Sequence, residues 1–278
     1  MQQTKTSNLL IRTLTILVFA PLIIGILIWH PLAFSAVVYI FMIIGLLEFY
    51  KLTQFHEIHP HRLTGIITAS ALFILLALTA LMIIPGWYLV FLPLTVSLLF
   101  ITELFRKRDN AVLNLAFGIF PLIYIVLPVS MLIFLMSPIV TGNFSHWHLL
   151  FGYLIILWSH DTFAYLTGIS LGKHKLWERI SPSKTIEGSL GGLIFAIMAS
   201  VILSLFFTEL SLGQWVIAAV IIALTGTFGD FSESLLKRKF NVKDSGKVFP
   251  GHGGMLDRID SLLFSAPAMF CYLLLLNI

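Results

Sequence analysis

Charge is what this sequence has least of: only 11% of its 278 residues are Asp, Glu, Lys or Arg, and its mean hydropathy is +0.98. That scarcity excludes an ordinary water-facing surface. Cysteine is almost missing. The single Cys271 cannot close an internal disulfide, and within the last apolar run its expected role is buried packing. A net charge of +4 does not make a nucleic-acid face, because the basic residues punctuate apolar runs instead of clustering on a soluble scaffold. No nucleic-acid partner is expected. A zinc-protease helix is excluded too: His56, Glu57, His59 and His61 contain no i, i+4 histidine pair and read as a solvated loop.

What the chain does have is long hydrophobic runs, with 58% apolar residues. Crossing roughly 30 Å of hydrocarbon at about 1.5 Å per residue takes about 20 mostly apolar residues. Nine stretches qualify: Leu10–Trp29, Pro31–Tyr50, Gly65–Ile84, Trp87–Phe105, Val112–Met136, Leu149–Ser170, Leu190–Phe207, Gln214–Asp230 and Ile259–Ile278. In the fifth, Pro121 and Pro128 leave two options open, one kinked helix or a re-entrant pair. The expected fold is an all-α polytopic membrane protein of about nine transmembrane helices.

Orientation follows from the basic residues, which stay on the cytoplasmic side of short loops. With the N-terminus inside, Lys5 and Arg12, Lys51 and Arg62, Arg106 to Arg108, Lys173 to Lys184, and the six from Lys237 to Arg258 all fall on one face and account for all seventeen. The loops around His30, Pro85, Gly142 and Ser211 hold none. His146 and His148 belong to that opposite face, and the C-terminus is expected outside. The first apolar run exceeds a signal-peptide core and is expected to remain as a span.

Polar residues cluster late. Residues 1–147 read as a scaffold of spans, with dimer contacts as an option, and 148–278 as a catalytic region with inside loops 171–189 and 231–258. If the segment from Gly229 to Arg238 is helical, Asp230, Glu233, Ser234 and Lys237 line one face at i, i+3, i+4 and i+7. A solvated Glu233–Lys237 pair is the plain reading of that face, but Asp230 ends an apolar run, where a carboxylate needs a cation or a water-filled cavity. The loop from Asn241 to Asp260 suits phosphate: Gly251, Gly253 and Gly254 let backbone N–H groups approach an anion, and Lys243, Lys247 and Arg258 supply charge. N-capping alone explains one of Asp257 and Asp260. Antiparallel packing of the last two spans would bring Asp230 and Asp257 face to face, an oxygen pair suited to Mg²⁺.

The stretch Ser181-Pro182-Ser183-Lys184-Thr185-Ile186-Glu187-Gly188 can cap the seventh span, and the same helix start can hold phosphate beside Lys184. Asp161 lies inside the sixth apolar run, where an ionisable residue is functional by default, with a bond to Tyr165 or a neighbouring helix as the alternative. Gly168 and Gly172 form a GxxxG step that suits helix packing.

These residues carry a resemblance. Ser234-Leu235-Leu236-Lys237-Arg238, Lys243-Asp244 and the run from His252 to Asp260 closely resemble the signature of the phosphatidate cytidylyltransferases, or CDP-diacylglycerol synthases. Ser181 to Gly188 is similar to that family's loop, with Ser183 where lysine is common. The likeness is strong from about residue 150 onward. It implies a bacterial inner-membrane enzyme, commonly dimeric, open to the cytoplasm and the inner leaflet. Its substrates would be CTP and phosphatidic acid, and its products CDP-diacylglycerol and pyrophosphate. It implies Mg²⁺, with a second cation as an option, held by Asp230 and Asp257 and supported by Asp161, Glu233, Asp244 and Asp260. Lys184, Lys237, Arg238 and Arg258 would screen phosphates, and His252 would position one. Ser181, Thr185, Glu187, Ser234, Lys243, Gly253 and Gly254 complete the expected substrate contacts. A transporter is the competing class, but no inverted repeat and no charge pairs spread over mid-membrane helices support it. A related enzyme acting on a lipid alcohol is the nearer rival.

Overall fold

A computed structural model of the chain describes residues 20–53, 58–142, 147–246 and 253–276. It is helical nearly throughout. A short helix α1 (Ala20–Trp29) is followed by α2 (Pro31–Thr53) and α3 (Arg62–Ala80). A 3₁₀ turn (Gly86–Phe91) leads into α4 (Leu92–Leu104), and α5 (Ala111–Pro121) joins α6 (Leu127–Phe134). A one-turn α7 (Pro138–Thr141) precedes α8 (His148–Leu171), α9 (Ile186–Phe206), α10 (Leu212–Lys239) and α11 (Leu256–Leu275). Eight stretches among the described residues are long and apolar enough to span a bilayer. The start of the first expected span, with Arg12, and Lys5 before it lie outside the described residues, as do His56, Glu57 and His146.

The fifth span is one helix, not a re-entrant pair: Ala111 to Phe134 is continuous through a π-helical turn, Leu122–Val126, between the two prolines. Proline removes an N–H and pushes on the preceding turn, and a wider turn absorbs both effects without ending the helix.

The α-only expectation misses one feature. Loop 171–189 contains an antiparallel hairpin of β1 (Lys175–Trp177) and β2 (Ser181–Thr185), with Lys175 opposite Thr185 and Trp177 opposite Ser181. Strands this short have no hydropathy period to reveal them.

Packing follows from small residues set against large ones. Trp215 of α10 is fully buried against Gly152 of α8, where an added Cβ would overlap the indole. Phe163 and Phe195 stack with centroids 3.6 Å apart across α8 and α9. Gly168 and Gly172 both face Thr185 at the start of α9, so the GxxxG step does serve close packing. Cys271 departs from expectation: it is exposed on α11. Lipid is as apolar as the core, so a span residue need not be buried to be satisfied.

Loop partners define two ends of the bundle. At one end Arg106 donates to the His59 carbonyl at 2.7 Å, and Arg238 of α10 reaches the Ile180 carbonyl of the hairpin loop at 3.5 Å. At the other end His148 pairs with Glu209. The loop after α4 thus meets the segment before α3, and the end of α10 meets the hairpin loop.

Candidate active site

α10 continues as helix beyond the expected membrane boundary to Lys239, so the stripe of Asp230, Glu233, Ser234 and Lys237 is real. Lys237 is ion-paired to Glu233 one turn earlier, and its ammonium also lies 2.6 Å from Asp257 Oδ1 on α11. The side chains of Glu233 and Asp257 are 2% and 12% exposed. One cation is thus shared by two nearly buried carboxylates, either of which would be a costly charge without a partner.

α10 and α11 are antiparallel, and their register is set at Gly229, which packs directly against the backbone of Asp260 and Ser261. Asp230 is therefore level with Asp260, and Lys237, two turns on, is level with Asp257. This differs from a face-to-face Asp230 and Asp257. Asp230 is instead paired with Lys184 from β2, whose ammonium sits 4.6 Å from the Phe231 ring centroid. Asp260 lies within electrostatic reach of Asp230, Asp161 and Lys184. Asp161 approaches the same point from α8. Its Oδ1 is 3.0 Å from His160 Nδ1 and accepts from Ser261 Oγ of α11 at 3.5 Å, so Asp161 bonds a neighbouring helix and also faces the site.

The glycine-rich loop spends its donors on the protein's own carboxylate. Asp257 Oδ2 accepts from Gly254 N at 2.7 Å, Ser245 N at 3.0 Å and Ser245 Oγ at 3.0 Å. Gly253 has φ +80°, which favours glycine, and a Cβ there would stand 2.5 Å from the same oxygen. Of the expected anion cradle, Gly253 and Gly254 close on Asp257, and Gly251 lies outside the described residues.

The remaining expected residues divide. Ser183, Lys184, Thr185 and Arg258 line the central cavity. Thr185 caps α9 by accepting from Gly188 N at 3.1 Å, and Glu187 accepts from Lys173 N at 3.0 Å and contacts His174 Nδ1 at 2.6 Å. Those contacts fasten the hairpin, which is the capping reading of this stretch. Ser181 is buried in β2, and Arg238 ties α10 to the hairpin. Lys243 and Asp244 are exposed on the loop after α10 and, with Ser234, are not cavity residues. His252 and Lys247 lie outside the described residues.

Sequence reasoning missed two contributors from the first half of the chain. Glu48 of α2 is 6% exposed and its Oε2 accepts from Leu256 N at 3.0 Å and Ser245 Oγ at 3.3 Å. Its signal was present, since a carboxylate within the second apolar run is costly without a purpose. Tyr124, in the π-helical turn, directs a buried hydroxyl that has no hydrogen-bond partner among the described residues, and it lies within electrostatic reach of Glu233, Asp260 and Asp230. The closely spaced prolines were its only sequence mark.

Beside these groups opens a cavity of about 690 Å³. Its polar end holds Asp161, Lys184, Asp230, Asp257, Arg258 and Asp260, and its apolar end holds Ile23, Phe34, Val38, Phe41, Leu132 and Trp158. Lys184 and Lys237 place ammonium groups on Asp230 and Asp257, where a metal's charge would sit, and the donors there are all hard oxygens, which fits Mg²⁺. Among the described residues no three His, Cys, Asp or Glu side chains form a metal cage.

The match to known proteins covers nearly everything described: the model of the cytidylyltransferase family aligns with residues 10–276. The chain belongs to the cytidylyltransferase family. Among curated relatives, the phosphatidate cytidylyltransferase of Staphylococcus haemolyticus is 46% identical over 124 residues, and that of Staphylococcus aureus is 47% identical over the same length. Staphylococcus saprophyticus has one at 44%. Each of these alignments covers 44% of this chain and 47% of the relative, so the chain spans about half the length of the curated proteins it matches. With its spans and bacterial relatives, this member of the family is a multi-pass plasma-membrane protein.

Proposed function

We propose that this chain transfers CMP from CTP to phosphatidic acid, giving CDP-diacylglycerol and pyrophosphate. The observation that carries the reading is the two-ended cavity, apolar between α1, α2, α6 and α8 and charged where α10, α11 and the hairpin converge. A diacyl lipid with an anionic head has that same division. The names of the relatives point to the same substrates.

Phosphatidate arrives with an ionised phosphate oxygen, so no side chain need serve as nucleophile. That oxygen forms a bond to the α-phosphorus of CTP, the bond to the β-phosphate oxygen breaks, and pyrophosphate leaves with the electron pair. The protein must align three groups in line and offset repulsion between two anions. Lys184 is positioned to exchange a carboxylate for a phosphate oxygen, Arg258 faces the same space, and Lys237 adds its charge from behind the Asp257 wall. Arg238 is assigned with these cations to screening the substrates and departing pyrophosphate, and His252 to positioning phosphate. Asp230 and Asp257 would hold Mg²⁺, with Asp260 beside Asp230 and room in the scheme for a second cation. The bound cation would neutralise phosphate oxygens as charge develops.

The site is proposed to face the cytoplasm, where CTP is made, because every Lys and Arg lies on that side of the charge-alternating topology. A homodimer, implied by the family resemblance, is part of the same proposal. The paired lysines and carboxylates gather at one end of the bundle, unlike the mid-membrane charges of a transporter.

The test is direct. Purified protein in detergent, given labelled CTP and phosphatidic acid with Mg²⁺, is expected to move label into the lipid phase, and EDTA should stop it. Label that stays in CTP, or that moves only when a polyprenol or its phosphate replaces phosphatidic acid, overturns the assignment.

A further inference from the structure

α11 carries Asp257, Arg258 and Asp260 in its first turns, yet its N-cap residue Met255 offers no side-chain acceptor. A helix start leaves N–H groups unsatisfied unless something else accepts from them. Here the acceptor comes from the other half of the chain: Glu48 Oε2 of α2 takes the Leu256 N–H at 3.0 Å, across 208 residues of sequence. The same oxygen faces Ser245 Oγ at 3.3 Å, and that hydroxyl also stands 3.0 Å from Asp257 Oδ2. A hydroxyl has one proton to give, so Ser245 links two carboxylates and bonds firmly to one at a time.

The fit around Glu48 is tight. A Cβ on Gly246 would overlap Glu48 Oε1, and one on Gly254 would stand 2.5 Å from Glu48 Oε2. Those two glycines leave room for the carboxylate to enter the loop, which is a different use from cradling phosphate. Glu48 is not a cavity residue, so it acts through its neighbours.

We infer that Glu48 is a positioning residue for the reaction. By holding the Leu256 N–H and Ser245 it fixes the first turn of α11, and so the place of the Asp257 carboxylate at the cavity wall. The kinetic part of this inference rests on the proposed activity; the structural part does not.

The experiment uses the full chain in detergent. Hydrogen exchange is followed in peptides covering 253–260 and in α8, for wild type, Glu48→Ala and Glu48→Gln. Glu48→Ala should speed exchange at the start of α11 by about tenfold or more while α8 keeps wild-type protection. Glu48→Gln should restore protection, because its amide oxygen still accepts from Leu256 N. In turnover, Glu48→Ala should lower kcat by about tenfold with the KM for CTP within about twofold. Three results overturn the inference: wild-type exchange in Glu48→Ala, equal loss of protection in α8, or a raised KM with kcat intact. If the wild-type chain makes no CDP-diacylglycerol, the activity reading fails while the exchange data still decide the role of Glu48.

Discussion

Asp257→Asn is the substitution whose consequences can be worked through most fully. The carboxylate uses both oxygens: Oδ1 for Lys237 at 2.6 Å, and Oδ2 for Gly254 N, Ser245 N and Ser245 Oγ at 2.7 to 3.0 Å. Asparagine has the same size, so no cavity opens, but it offers one acceptor and one donor. Its carbonyl keeps the loop N–H groups best, which turns its NH₂ toward the Lys237 ammonium. One charge-assisted hydrogen bond is lost, about 1.5–3 kcal/mol, while Lys237 keeps Glu233. That is a fraction of an ordinary folding free energy of roughly 5–15 kcal/mol, so the protein should still insert and fold with a lowered unfolding temperature. Turnover should fall by about a thousandfold or more, because the group proposed to hold the divalent cation beside the phosphates loses its charge. The assays are label transfer at saturating CTP and thermal unfolding in detergent. Turnover within about threefold of wild type would refute the metal assignment, whatever the unfolding temperature.

Two other outcomes check separate parts of the reading. Lys184→Met removes the ammonium from Asp230 and from the Phe231 ring; Lys184 is partly exposed, so the fold should persist while the KM for CTP rises about tenfold, and an unchanged KM removes its phosphate role. In a Cys271→Ser background, Lys243→Cys places one exposed thiol on the α10–α11 loop, and an impermeant reagent should label it from the cytoplasmic side of vesicles; labelling from the opposite side would end the proposal, since CTP is not available there.

Much of the site lay open to sequence reasoning where it depends on one helix. The i, i+4 pair of Glu233 and Lys237 follows from helical spacing and is present. The capping of α9 by Thr185 followed from residue type. The pairing between helices did not follow. Asp230 and Asp257 were expected opposite each other, but the close contact of Gly229 with Asp260 slides the register by nearly a turn and gives Asp257 to Lys237. The glycines at 253 and 254 looked like a phosphate cradle, and what they enclose is a carboxylate of the protein itself.

Sequence by itself determined what depends on solvent and on local period: that the chain lies in a bilayer, how many apolar runs can cross it, which loops share a face and which two segments hold the polar chemistry. Bilayer thickness, helical rise and the placement of basic residues act on each segment separately, so they are legible without a fold. Tertiary structure alone decided that Lys184 meets Asp230, that a hairpin delivers it, and that Glu48 in a run read as scaffold reaches the start of α11. Such contacts join residues far apart in the chain through the fit of side chains between helices, and no periodicity within either segment encodes that fit.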